Sequence, residues 1–289
     1  MNYLTNLVSY GLYGAGISIL AGGALLYTFQ TELIYPSKIP EGSRTHVDLP
    51  SSYGMNNFED LTLTAQDGLK IRAYNIMQPD EEATRNAKTI LYLHANAGNM
   101  GHRLPIAKEF YNRCGLNVFL LSYRGYGLSE GTPNEKGMML DAEAALKYIR
   151  QHPVLKNTTL ILYGQSIGGA VATYLASNFQ SQIQGVIIEN TFLSLPQLVP
   201  NVMPWLRYFT FLCHQVWPSE KYIQQVDQVP VLFLVGSRDE MIPPSHMRRL
   251  YALCPSSRKK IVEFPRGTHN DTCIQRGYFD TIVEYLKEL

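Results

Sequence analysis

The chain has 289 residues, is 45% apolar, and balances 25 basic against 24 acidic side chains for a net charge of +1. It can therefore bury a sizeable core, and its scattered Lys and Arg exclude an electrostatic case for nucleic acid as a partner. The four cysteines, Cys114, Cys213, Cys254 and Cys273, are widely spaced with no Cys/His ligand pattern, so the sequence implies no metal site and no organic cofactor.

From Asn2 to Thr31 no side chain is charged, and Leu7 to Phe29 is long enough to cross a hydrocarbon core, which needs about 20 apolar residues. Gly14, Ser18 and Gly22 form a small-residue stripe of the kind that lets membrane helices touch, and Tyr27 suits an interface. Two other readings compete. A cleaved signal peptide fits poorly, because the run is long and no Lys or Arg precedes it. A buried helix of the globular part fits poorly too, because 30 uncharged residues are too many for an amphipathic one. We expect residues 1–31 to be a single-pass membrane anchor with the lipid bilayer as its partner. Residues 32–55, with Pro36, Pro40 and Pro50, read as a connector to a catalytic domain over 56–289.

Leu61 to Thr64 and Leu69 to Ile76 flank Gln66-Asp67-Gly68, a strong hairpin signal. The pattern then changes to short apolar runs at Thr89–Leu93, Val118–Ser122, Leu160–Tyr163, Val186–Ile188, Val231–Val235 and Lys260–Phe264. Such runs suit strands of a parallel sheet covered on both faces. Between them lie helical stretches near Leu104–Arg113, Glu135–Arg150, Gly169–Asn178, Ser245–Leu253 and Tyr278–Lys287. Alternating strands and helices predict a mostly parallel doubly wound α/β sheet. Its ligands should bind beyond the carboxyl ends of the strands.

Chemistry-bearing residues fall at those ends. After the first central strand comes His94-Ala95-Asn96-Ala97-Gly98-Asn99, whose small residues let the backbone curl. The Asn96 N–H, with Ala97 next, is our choice for one oxyanion donor, and His94 reads as a loop-orienting residue. The loop Arg124 to Gly131 reads as structural, with Arg124 and Glu130 as a pair. Gly164-Gln165-Ser166-Ile167-Gly168 fits G-x-S-x-G between a strand and a small-residue helix start. A sharp strand-to-helix turn would expose Ser166 Oγ, and the Ile167 N–H would face a developing oxyanion.

An insert near 191–221 leaves the alternating pattern. It holds both tryptophans, and Trp205, Phe209 and Trp217 are expected to form an apolar substrate wall in a cap. Asp239 follows the Val231 strand and His269 follows the Lys260 strand, in the order nucleophile, acid, base that this fold uses. Glu240 is the nearest rival to Asp239. His246, just past two prolines, reads as a capping or solvent-facing residue.

LYLHANAGN, SYRGYGLSEG, LYGQSIGG, GSRDEMIPP and GTHND, in that order, together resemble the membrane-anchored α/β-hydrolases typified by fungal bud emergence protein 46 and animal α/β-hydrolase-domain protein 13. The resemblance spans most of the chain. It implies the α/β-hydrolase fold, an N-terminal single-pass anchor, and Ser166, Asp239 and His269 as nucleophile, acid and base. Ala95 departs from the glycine that many α/β-hydrolases carry there. More distant relatives suggest acyl lipids or acyl-proteins as the substrate class. The expected activity is thus hydrolysis of an acyl ester or thioester. A peptidase of the same fold and a catalytically silent membrane scaffold are the alternatives.

Overall fold

Asp67-Gly68 closes the first hairpin, with Gly68 at φ +89° where a side chain would be strained. It joins antiparallel β1 (Phe58–Thr64) and β2 (Lys70–Ile76), and β2 pairs antiparallel with β4 (Asn117–Ser122). All remaining pairings are parallel, through β3 (Thr89–Leu93), β5 (Leu160–Gln165), β6 (Gly185–Glu189), β7 (Val231–Gly236) and β8 (Lys259–Phe264). The eight strands lie in the order β1-β2-β4-β3-β5-β6-β7-β8. This computed structural model describes residues 2–289, with side chains at 13, 18 and from 20 onward.

The helices are α1 (Asn2–Ile34), α2 (Glu81–Asn86), α3 (Leu104–Asn112), α4 (Glu135–Gln151), α5 (Ile167–Asn178), α6 (Leu195–Val202), α7 (Ser219–Ile223), α8 (Pro244–Leu253) and α9 (Tyr278–Lys287). Strand side chains alternate between two cores. Leu91 and Leu93 pack with residues of α4, α5 and α8, while Ile90 and Tyr92 pack with residues of α3 and α9. The central strands are buried on both faces, which is why their sequences read as unbroken apolar runs.

Three differences from the sequence reading have physical causes. β5 runs two residues past its apolar run, because Gln165 still pairs with Glu189 in the ladder. α2 has no apolar stripe to announce it and is started by Asp80, which accepts from Ala83 N at 2.8 Å. Arg124 does not pair with Glu130. Its guanidinium meets Asp141 on α4 and Asp67 in the first hairpin, while Glu130 accepts from the Lys70 amide.

The bilayer-crossing segment expected at Leu7 to Phe29 is not borne out among the described residues, where no helix is long and apolar enough to cross a membrane. Most side chains of that run before Leu20 lie outside the described set. The last two turns of α1 carry Thr28, Gln30, Thr31 and Glu32, and the helix packs against the 191–221 insert.

Candidate active site

β5 passes into α5 through a turn with no room for a side chain two residues to either side of Ser166. A Cβ on Gly164 would lie 2.1 Å from Gly168 O, and one on Gly168 2.0 Å from Leu93 O. Ser166 itself is held at φ 55°, ψ −120°, a conformation that costs a non-glycine residue about 1–3 kcal/mol. Its neighbours fasten it there. The Ser166 amide donates to Glu189 O at 2.9 Å, and Thr191 Oγ1 donates to Ser166 O at 2.7 Å. Ile167 opens α5, so its N–H is one of the helix's orphan donors, next to the serine hydroxyl.

The loop after β3 supplies the facing wall. His94 is fully buried and donates from Nδ1 to Ala95 O at 2.7 Å, against the rings of Tyr123 and Tyr126. Burial, with help from the Arg103 charge, pushes its pKa down to about 3, so it stays neutral. The Asn96 side chain is clamped from both ends. Its Nδ2 donates to Ile34 O at the end of α1, and Tyr126 Oη donates to its Oδ1 at 2.6 Å. Arg103 donates to Ala97 O.

His269 Nδ1 donates to Asp239 Oδ2 at 2.8 Å, and both side chains are nearly inaccessible to solvent. Asp239 Oδ1 accepts from the amides of Met241 and Ile242 at 2.9 and 2.7 Å, which fixes the carboxylate. With Nδ1 engaged, Nε2 is the ring nitrogen available to a proton from Ser166. Glu240 does not touch the ring and accepts from the His269 amide instead. Ser166, Ile167, Asn96 and His269 all line one cavity of about 560 Å³, within the range usual for small-molecule sites. Its remaining wall is mostly apolar and comes chiefly from α1, α6 and the turns that follow α6, with Pro36, Pro40, Met241 and Ile242 completing it.

The substrate-wall expectation needs correcting at two of three positions. Phe209 lines the cavity. Trp217 is fully buried elsewhere, its Nε1 donating to Tyr35 Oη at 2.9 Å, and Trp205 is 65% exposed on the outside of the insert. A run of aromatics in an irregular segment carries no period to say which ring turns inward. His246 is likewise neither solvent-facing nor a cap. It is buried and accepts from Leu193 N at 3.2 Å, bracing the start of the insert.

Sequence reasoning missed Glu189, which ends β6, and Asn190 and Thr191, which follow it. Glu189 is fully buried under the His269 loop, accepts from Tyr163 Oη at 2.7 Å and from Tyr278 Oη, and burial raises its pKa. Gln165 Nε2 bridges Glu189 to His269 O. Asn190 Nδ2 donates to Thr268 O and His269 O, while its Oδ1 accepts from Gly236 N. Thr191 holds the elbow. The available signal was the abrupt change from an apolar run to Glu-Asn-Thr at a carboxyl strand end beside the strand that carries Ser166.

The chain is 43% identical to protein bem46 of Schizosaccharomyces pombe, over 98% of this chain and 94% of that one. It belongs to the α/β-hydrolase family of bem46. A profile of the alpha/beta hydrolase fold matches residues 88–212 of this chain. Uncharacterized membrane protein YNL320W of Saccharomyces cerevisiae is 48% identical over 92% of this chain and 91% of its own. Among solved structures, the Pyrococcus furiosus esterase Pf2001 superposes with a TM-score of 0.69 at 18% identity, covering 85% of this chain and 97% of the esterase. An alpha-beta hydrolase from Vibrio vulnificus gives 0.71 at 17% identity, covering 89% and 92%. At such identities these two establish the fold.

Proposed function

We propose that the chain is a serine hydrolase that cleaves an acyl ester or thioester, from a lipid or an acyl-protein, at a membrane. The observation that carries the reading is the meeting of a strained Ser166 with the Asp239-held ring of His269 on one largely apolar cavity. Ser166 Oγ attacks the carbonyl carbon, and its proton passes to His269 Nε2. The Ile167 and Asn96 amides stabilise the oxyanion. The tetrahedral centre collapses, the C–O or C–S bond breaks, and His269 gives its proton to the leaving alcohol or thiol. Water, deprotonated by His269, then releases the acid. The solved esterase of like fold is consistent with the ester class.

Membrane placement, with α1 as a single-pass anchor, is the finer part of the proposal. It is supported by the uncharged run to Thr31, by exposed Leu20, Leu25, Phe29 and Leu33 on α1, and by the printed name of the budding-yeast relative.

The deciding experiment is active-site labelling with a fluorophosphonate. The wild type should label on Ser166 and cleave acyl esters faster than peptide amides, while Ser166→Ala should do neither. Full labelling of Ser166→Ala, or faster amide cleavage, overturns the reading. For the anchor, the full chain should stay with membranes through an alkaline carbonate wash. Complete release into the supernatant would overturn single-pass anchoring alone.

A further inference from the structure

Leu26, Gln30, Leu33 and Ile34 of α1 line the cavity that contains Ser166 and His269. They fall at i, i+4, i+7 and i+8, one face of a helix. That face is fastened at two points, its middle and its C-terminal end. Gln30 is buried, donates from Nε2 to Leu212 O at 3.1 Å, and accepts on Oε1 from His214 N at 2.9 Å, both on the 191–221 insert. At about 1.5 Å per residue, Ile34 lies about 12 Å along the helix from Leu26, and its carbonyl holds Asn96 in the loop facing the nucleophile. A segment serving only to tether the domain needs neither fastening.

We propose that α1 is a specificity-determining wall of the acyl site. An acyl chain attached at Ser166 runs between α1 and the insert, passes Ile34 and Leu33, and reaches Leu26 only when it is long. The occupant follows from the lining: an apolar passage continuous with a nucleophile suits a hydrocarbon chain attached to a reactive carbonyl. An acyl lipid and an acylated protein present this same chain. The proposal rests on the reading of Ser166 as nucleophile. It assigns to the N-terminal helix a part in substrate selection beyond attachment.

The test uses the full chain in mixed micelles and two alkyl fluorophosphonates, one ethyl and one dodecyl. In each, Ser166 Oγ forms the P–O bond, fluoride leaves as the P–F bond breaks, and the serine proton goes to His269. The readout is the ratio of the dodecyl to the ethyl labelling rate constant, which cancels any fraction of misfolded protein. Leu26→Trp, which fills the far end of the passage, should lower that ratio about tenfold, and Leu33→Trp should lower it on the same face. Leu25→Trp, beside Leu26 but exposed and off the cavity, should leave it unchanged. Ratios that do not fall in Leu26→Trp and Leu33→Trp, or that fall equally in Leu25→Trp, overturn the proposal while Ser166 stands. Absence of labelling at Ser166 by either probe in the wild type overturns the nucleophile reading and this proposal with it.

Discussion

Asp239 and Glu240 are adjacent carboxylates with different partners, and the difference sets what each substitution does. Asp239 takes the ring N–H of His269, so Asp239→Asn would present an amide that favours the wrong tautomer, and kcat should fall by about 10³–10⁴. Glu240 meets only the backbone amide of His269, so Glu240→Gln should cost about tenfold or less, the worth of one weakened hydrogen bond. Steady-state kinetics on any cleaved ester checks both, and a larger loss in Glu240→Gln would exchange the roles. His94 makes a different demand. Its folded pKa is down to about 3 against an ordinary 6.5. Above pH 6.5 both folded and unfolded chains carry it neutral. Below that the unfolded chain binds a proton that the folded chain refuses, so stability is lost as pH falls from 6.5 toward 3. At about 1.4 kcal/mol per pH unit, the wild type should lose about 2 kcal/mol more than His94→Asn between pH 6.5 and pH 5. Urea melts at the two pH values measure this, and equal losses would remove His94 as the cause.

Elements here are joined by a few buried polar groups, and the Arg124 cluster is the clearest. Arg124 donates four hydrogen bonds to Asp141 on α4, one of them from its own backbone N–H, and its guanidinium also donates to Asp67 in the β1–β2 hairpin. One side chain therefore ties the antiparallel edge of the sheet to a helix on its face. Asp141→Ala leaves a buried guanidinium half paired and should cost about 3–5 kcal/mol, read as a shift in denaturant midpoint at unchanged slope. Asp67 is half-exposed, and Asp67→Ala should cost about 1 kcal/mol. Equal costs would mean that Arg124 is not held chiefly by α4. This cluster also marks the limit of what was legible in the chain. Strands, helices and the turns carrying Ser166, Asp239 and His269 announce themselves through local constraints: double-sided burial, glycines without room for a Cβ, and loops at carboxyl strand ends. The partner of Arg124 does not, because Asp67 and Asp141 are distant in sequence and Glu130 is near. Trp217 and Trp205 share a stretch with no period, so nothing local distinguishes the buried ring from the exposed one. The cavity face of α1 was hidden for another reason. An uncharged run reads as membrane-seeking whether or not one of its faces is packed on protein.

At the scale of the whole molecule, the exposed apolar surface is concentrated on the two elements that wall the cavity. Leu20, Leu25, Phe29 and Leu33 on α1 and Val202, Trp205, Tyr208 and Phe211 on the insert all stand at least about half exposed. Exposed apolar side chains in such number suit an interaction face, and aromatic rings with a polar edge suit the headgroup region of a bilayer. If that face meets lipid, the cavity mouth and the bilayer share a border, and an acyl chain passes from one to the other without crossing water. The chain carries its own reporter for this arrangement, because it has only two tryptophans and they sit in opposite environments. Trp217 is fully buried and bonded to Tyr35, while Trp205 is 65% exposed. In vesicles containing lipids brominated along the acyl chain, Trp205 emission should be quenched and Trp217 emission should not. Wild-type protein should lose about half of its tryptophan signal, and Trp205→Phe should lose little. Quenching is set by contact with bromine, so the result depends on the seating of the insert and is independent of whether α1 crosses the bilayer. Equal quenching in wild type and Trp205→Phe, or none in either, would mean that the insert faces water and that substrate reaches Ser166 by another route.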